Sequence, residues 1–351
     1  MKSLYQTYRP ESFADVVGQE HVVEALKAGV KNGPAHAYVF AGGRGTGKTS
    51  LARIFARSLG TAEVDIMEMD AASRTGVDDI RELTDSVPMS PFQSQFKIYI
   101  LDEAHMLSKS AFNALLKTLE EPPAHVIFIL ATTDPDRLPD TVLSRCLVFQ
   151  FETPSASAIS KVLDRTAKAE KIKLAADARD LLALMARGSH RDALSLLEQV
   201  ARVAEGDPVD VELVTRITGA PRHEQVVGVL AALEHQDQGR LITIIRELEA
   251  EATNPDLFLS LLIDSVRLVL RLRFGGVDAG SEKDSRSEHI QVEAERMAKK
   301  APHLNSSLLE TLLNISKDLA WSPLPYALVE ARLGVYIEGI AAGSATGAKN
   351  K

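Results

Sequence analysis

One run of eight residues, Gly42-Gly43-Arg44-Gly45-Thr46-Gly47-Lys48-Thr49, constrains this chain more than any other stretch. It satisfies the G-x-x-x-x-G-K-[ST] pattern at every fixed position. The apolar run at 37–41 reads as a buried strand, and residues 50–57 have helical spacing. Strand, loop and helix in that order are the context the pattern requires. The glycines let the backbone curl so that its N–H groups face an anion. The positive end of the following helix adds to the same field. Lys48 is then placed to neutralise β- and γ-phosphate oxygens, and the Thr49 hydroxyl to hold Mg²⁺. Gly43, Arg44, Gly45, Thr46, Gly47 and Ser50 complete the expected phosphate contacts.

The rest of the N-terminal region agrees with a parallel sheet flanked by helices. Expected strands are 37–41, 65–69, 96–102, 126–132 and 146–151, several of them continuous aliphatic runs of the kind buried on both faces. A helix is expected over 108–121, capped by Ser108 and stopped at Pro122-Pro123. From about 154 the pattern becomes helical, with breakers at Gly188-Ser189, Gly206-Asp207-Pro208 and Gly219-Ala220-Pro221. The expected domains are a nucleotide-binding domain over 1–153, a small helical lid over 154–221, an all-helical domain over 222–340 and a disordered tail over 341–351. Residues 275–287 read as an exposed loop.

Length and composition exclude several classes. A chain of 351 residues is long enough for two or three domains with real cores. The formal net charge of −8 argues against a freestanding nucleic-acid binder held by bulk charge, though not against a local basic strip. A single cysteine, Cys146, allows neither a disulfide framework nor a cysteine zinc site within one chain, and fits a reducing, cytoplasmic compartment. No apolar run is long enough to span a membrane, and the first residues do not read as a signal peptide.

Beyond the phosphate loop, the strand at 97–102 ends in Asp102-Glu103, followed by His105. In a phosphate-loop ATPase, Asp102 would orient a water on Mg²⁺ and Glu103 would polarise the attacking water. Thr133, or failing it Thr132, ends the neighbouring strand, where it either touches the γ-phosphate or caps a turn. Arg145 follows a short helix; it either supplies charge to the ATP of a neighbouring subunit or forms an ordinary surface ion pair. Arg191, at the start of a helix, either faces the nucleotide or pairs with an acidic neighbour. Tyr8, Arg9, Pro10, Val16 and Val17 mix an aromatic, a proline turn and apolar residues that could wall a base or pack a domain edge.

Taken together, these residues resemble the AAA+ ATPases and, more closely, the clamp-loader ATPases of bacterial DNA polymerase III, the γ/τ subunits. The stretches that carry the resemblance are 8–10, 13–19, 42–49, 70–74, 101–108, 112–123, 131–135, 143–146 and 188–196. It implies an AAA+ domain, a lid and a C-terminal helical collar. It implies ATP and Mg²⁺ as ligands, and a pentamer containing other loader subunits and copies of the chain itself. The partners it implies are a sliding clamp and primed template DNA, in the cytoplasm at the nucleoid. By that analogy Arg145 is an arginine finger acting in trans, Thr133 a first sensor and Arg191 a second. Arg74 and Lys109, each at a predicted helix start, are candidates for DNA contact, and Lys117 is placed to relay such contact to Glu103. One departure stands out: family members usually carry a four-cysteine zinc module between the phosphate-loop helix and the next strand. Residues 57–64 contain no cysteine, so no zinc is expected.

Two other readings compete. A stator-like subunit that never turns over ATP would have no need of Lys48, Thr49, Asp102 and Glu103 together. A branch-migration helicase or protein remodeller would be expected to carry a winged helix or aromatic pore loops in place of the helical segment after residue 222.

Overall fold

The structure, a computed structural model, describes residues 2–73, 77–275 and 288–347. The loop expected at 275–287 falls, apart from Gly275, outside the described residues.

In chain order the helices are α1 (Leu4–Thr7), α2 (Glu20–Asn32), α3 (Lys48–Ser58), α4 (Val77–Ser86), α5 (Lys109–Glu120), α6 (Asp140–Leu143), α7 (Ala156–Ala169), α8 (Ala176–Met185), α9 (His190–Ala204), α10 (Val211–Thr218), α11 (His223–His235), α12 (Gln238–Ala250), α13 (Pro255–Phe274), α14 (Glu288–Lys300), α15 (Ser306–Leu319) and α16 (Pro325–Gly347). The strands are β1 (Ala37–Ala41), β2 (Ile66–Asp70), β3 (Lys97–Asp102), β4 (Val126–Thr132) and β5 (Leu147–Gln150). They form one parallel sheet in the order β2-β3-β4-β1-β5.

Alternation along the central strands builds two cores, one on each face. Val39, Tyr99, Leu101, Phe128 and Leu130 face α4 and α5, with Phe112 and Leu115 packed on them. Tyr38, Phe40, Ile98, Ile100 and Ile129 face the other way, onto Leu26 of α2 and Leu51, Ile54 and Phe55 of α3. Each such side chain contributes about 1.5–3 kcal/mol on leaving water. The edge strands differ: Met67 of β2 and Leu147 and Val148 of β5 are exposed. The expected start of β2 also shifts. Asp65 lies in a 3-10 turn (Glu63–Asp65), where its buried carboxylate accepts the backbone N–H groups of Phe92 and Gln93.

The chain divides into two compact units, residues 1–169 with 186–198, and residues 170–185 with 199–351. The helical segment expected over 154–221 is shared between them, because α7 and the start of α9 pack onto the sheet domain. Gly188 touches Thr153, and Gly45 touches Ser189.

The second unit has its own apolar core of Val229, Leu233, Ile245, Phe258, Leu262, Leu308, Leu312 and Leu333, supplied by α11, α12, α13, α15 and α16. Asp210, Asn254 and Asn305 cap the starts of α10, α13 and α15 by accepting backbone N–H groups. Arg273 donates to the carbonyls of Met297, Ala298, Ala301 and Leu304, satisfying the chain end of α14. The last helix continues past the expected end at 340 to Gly347, and residues 348–351 lie outside the described residues. Among the described residues, no helix is long and apolar enough to cross a membrane.

Candidate active site

Parallel strands deliver their C-terminal ends to one edge of the sheet, and the site forms there. β1 runs into the phosphate loop, β3 ends at Asp102 and β4 ends at Thr132. β4 lies between the other two, and the Gly42 N–H donates to the Thr132 carbonyl at 3.1 Å. The loop, the acidic pair and the Thr132-Thr133 corner are thereby fixed against one another.

Two glycines of the loop have backbones that other residues rarely adopt. Gly45 has φ +73°, and a Cβ there would come within 2.0 Å of the Ser189 hydroxyl. Gly47, at φ +100°, caps the N-terminus of α3 in the left-handed region. The His190 N–H donates to the Gly45 carbonyl at 3.1 Å, so the start of α9 sits directly on the loop.

Lys48 is 6% exposed, and its ammonium donates to the carbonyls of Gly42 at 2.8 Å and Gly43 at 2.7 Å. Burial pushes its pKa down, while the nearby Glu103 and Asp102 carboxylates pull it up. A phosphate entering the loop would compete with those two carbonyls for the same donors. The Thr49 hydroxyl donates to Asp102 Oδ2 at 2.7 Å, and Asp102 Oδ1 accepts the Glu103 N–H at 3.0 Å. A hydroxyl beside a carboxylate is the hard-oxygen donor set that Mg²⁺ takes, so the residues present fit that ion.

Glu103 adopts a left-handed backbone, φ 49°, that turns its side chain off the strand end. Its Oε2 accepts the Thr133 hydroxyl at 3.1 Å, and His105 Nδ1 lies 3.5 Å from the same oxygen. Thr132 is fully buried, accepts the Asp134 N–H, and contacts His105 Nδ1 at 3.2 Å. Of the two threonines weighed from sequence, Thr133 is therefore the one that touches Glu103.

A cleft of about 610 Å³ opens over these groups. Its lining takes in Tyr8, Arg9, Pro10, Val16, Val17, Arg44 to Ser50, Asp102, Glu103 and Arg191. Arg9 Nε donates to the Ser50 hydroxyl at 2.8 Å. Burial, then the neighbouring Arg53, lower the Arg9 pKa, while Glu68 and Asp102 oppose them.

The sequence reading missed several groups that line the same cleft, among them Tyr5, Arg53, Glu68, Arg165 and His190. Arg53 is held by Glu68 at 2.6 Å. The His190 ring nitrogens are buried without a hydrogen bond, and burial lowers its pKa; the Val17 backbone opposes this and Arg165 adds to it. Only the apolar and aromatic character of residues 4–8 offered a sequence signal for Tyr5; nothing local marked Arg165.

Five predicted residues do not line the cleft: Gly43, Thr133, Arg145, Lys109 and Lys117, of which Thr133 is joined to it through its bond to Glu103. Arg145 donates to the Thr141 carbonyl at 2.6 Å and to Glu120 Oε1 at 2.6 Å, the surface ion pair that the sequence left open. Lys109 and Lys117 are exposed on α5, the first at its start. Arg74 lies outside the described residues.

Two family models match the chain. DNA polymerase III, delta subunit, covers residues 61–155, and DNA polymerase III clamp loader subunit, ATPase lid domain, covers 158–206. The chain is 38% identical over 356 residues to DNA polymerase III subunit tau of Salmonella typhimurium, covering 95% of this chain and 54% of that protein. It is 33% identical over 353 residues to DNA polymerase III subunit gamma of Buchnera aphidicola subsp. Acyrthosiphon pisum, covering 94% and 97%. The chain thus spans about half the length of the tau subunits it matches. Among solved structures, the Thermotoga maritima RuvB Holliday junction branch migration motor superposes with a TM-score of 0.52 at 22% identity, covering 64% of this chain and 79% of that one, a likeness of fold alone.

Proposed function

The chain belongs to the family of DNA polymerase III γ and τ subunits, and from that premise we propose that it is an ATP-hydrolysing subunit of a clamp loader. The observation that carries this reading is the connected chain of Thr49, Asp102, Glu103 and Thr133, the first three of which line the cleft. A subunit that only shaped its assembly would not need that set. The alternative of a branch-migration motor rests on fold likeness alone, and no residue of the cleft favours it.

In this reading Lys48 and the loop amides grip the β- and γ-phosphates. Thr49 and Asp102 hold Mg²⁺, which supplies positive charge to the phosphates when bound. Glu103 polarises the attacking water, and Thr133 reports the γ-phosphate through its bond to that carboxylate. Arg191 reaches the γ-phosphate from α9. Tyr8, Arg9, Pro10, Val16 and Val17 wall the base. Arg145 acts in trans on a neighbour's nucleotide, so its pair with Glu120 must open on assembly. The assembly is a pentamer with other loader subunits and further copies of this chain. It opens a sliding clamp with ATP bound, places it on primed DNA and releases it on hydrolysis, in the cytoplasm at the nucleoid. Lys109, Lys117 and Arg74 meet the DNA backbone, and the helical segment from residue 222 forms the collar.

The test is ATP turnover of the chain reconstituted with partner loader subunits, with and without clamp and primed DNA. Stimulation by both together, abolished in Arg145→Ala, is the expected result. Turnover indifferent to clamp and to Arg145 would overturn the loader reading.

A further inference from the structure

Helix α1 is one turn long, and its contacts give it a role in the cleft. The Arg191 guanidinium lies over the Tyr5 ring, 4.8 Å from its centroid. The Leu4 N–H donates to Glu198 Oε2 at 2.9 Å. Arg191, Leu194 and Glu198 are spaced at i, i+3 and i+7, so they share one face of α9. α1 meets that face. Tyr5, Arg191 and Leu194 all line the cleft that also holds Lys48 and Thr49.

A helix of four residues does not hold itself together. Within α1 the Thr7 hydroxyl donates to the Ser3 carbonyl at 3.1 Å and the Ser3 N–H donates to Gln6 Oε1 at 3.4 Å, and the Leu4 N–H ties its start to α9. The dependence runs the other way as well. An exposed arginine samples many rotamers, and ordering it opposes ligand binding. An aromatic face removes much of that freedom and keeps the charge.

We propose that Tyr5 is a positioning residue for Arg191: its ring fixes the guanidinium at the cleft wall, so that a terminal phosphate meets a cation already ordered. This rests on the reading of Arg191 as a γ-phosphate contact. The same N-terminal segment carries Tyr8, Arg9 and Pro10 into the cleft, so one short stretch of chain both lines the site and seats its outer cation.

The experiment is titration calorimetry of the full chain with Mg²⁺ and a non-hydrolysable ATP analogue, and separately with Mg²⁺ and ADP. Tyr5→Leu is expected to weaken the triphosphate analogue about two- to fivefold, the range of a partly exposed cation–π contact, and to leave ADP unchanged. Tyr5→Phe keeps the ring face and is expected to bind as the parent chain does. Arg191→Ala is expected to weaken the analogue at least as much, and Tyr5→Leu to add nothing in that background. Additive losses, equal loss of ADP, or a silent Tyr5→Leu beside a weakened Arg191→Ala would overturn the role of Tyr5 alone. A silent Arg191→Ala would overturn the reading of Arg191, and the positioning role with it.

Discussion

The Thr49 hydroxyl donates to the Asp102 carboxylate across 2.7 Å, although 53 residues separate them in the chain. One residue lies in the first turn of the phosphate-loop helix and the other closes β3. The two oxygens that would share a cation are therefore neighbours through the order of the strands, with no loop needing to close. Thr49→Val should leave the fold intact and weaken Mg²⁺-dependent nucleotide binding at least tenfold, with little change when EDTA is present. Equal losses with and without the metal would show that the hydroxyl serves the phosphates directly.

Lys48 is a buried cation of the site, its ammonium donating to two backbone carbonyls. Charged hydrogen bonds contribute about 1.5–3 kcal/mol each. Lys48→Ala should therefore reduce affinity for Mg²⁺ and ATP by roughly ten- to a hundredfold, which calorimetry would measure. Unchanged affinity would mean that the loop does not grip the phosphates.

Glu103 and Thr133 separate binding from chemistry. Glu103→Gln should bind nucleotide as the parent chain does and lose about 10²–10⁴-fold in single-turnover hydrolysis within the assembled loader, the range of general-base catalysis. Thr133→Val should keep binding and lose less, because it removes one hydrogen bond at 3.1 Å and leaves His105 beside the carboxylate. A Thr133→Val loss as large as that of Glu103→Gln would show that the threonine contacts substrate itself.

Much of this site was legible because its signals are local. The phosphate loop and the strand ending in two carboxylates are each contiguous, and their spacing carries the chemistry. Tyr5, Arg165 and His190 were not legible, because they reach the cleft from α1, α7 and α9, and only the packed fold brings those segments to the loop. The strands expected at 37–41 and 126–132 are buried on both faces, and the one expected at 96–102 begins at Lys97 and is buried as far as Leu101. The run at 146–151 also reads as a strand, but β5 (Leu147–Gln150) is an edge with Leu147 and Val148 in water, since strand order is not written in any single strand. Asp65 looked like the first residue of a strand. Its role as a buried acceptor for Phe92 and Gln93 depends on a loop almost thirty residues away.

Asp65 also makes stability depend on pH. Burial alone would raise its carboxyl pKa, but the amides of Phe92 and Gln93 and the Ser94 contacts outweigh burial and hold it below the ordinary value. Its contribution is thus complete above the unfolded-state pKa of about 3.9 and is lost as pH falls through the lower folded-state value. Asp65→Asn should cost about 1–3 kcal/mol in urea unfolding at pH 7, with the deficit shrinking in acid. A deficit of the same size at pH 7 and pH 3 would show that shape, and not charge, holds this turn.

The pair formed by Arg145 and Glu120 is exposed, at 34% and 50%, so it holds the isolated chain together weakly. Arg145→Ala and Glu120→Gln should each shift unfolding by less than about 1 kcal/mol. In the reconstituted assembly Arg145→Ala should reduce turnover by about 10³-fold or more, as expected for an arginine finger, whereas Glu120→Gln should not. Matching defects in the two variants would mean that the ion pair itself is what turnover needs.

The seam between Gly45 and the start of α9 has a mechanical consequence. The Ser189 side chain packs directly on Gly45 and the His190 N–H bonds the Gly45 carbonyl, so the start of α9 is joined to the loop with no residue between them. Within the unit that holds the sheet, α9 runs from His190 to Glu198, with Arg191 and Leu194 one turn from the seam. The phosphate loop thus sits at the root of the helix that carries Arg191 to the cleft, and an adjustment of the loop is handed straight to that cation.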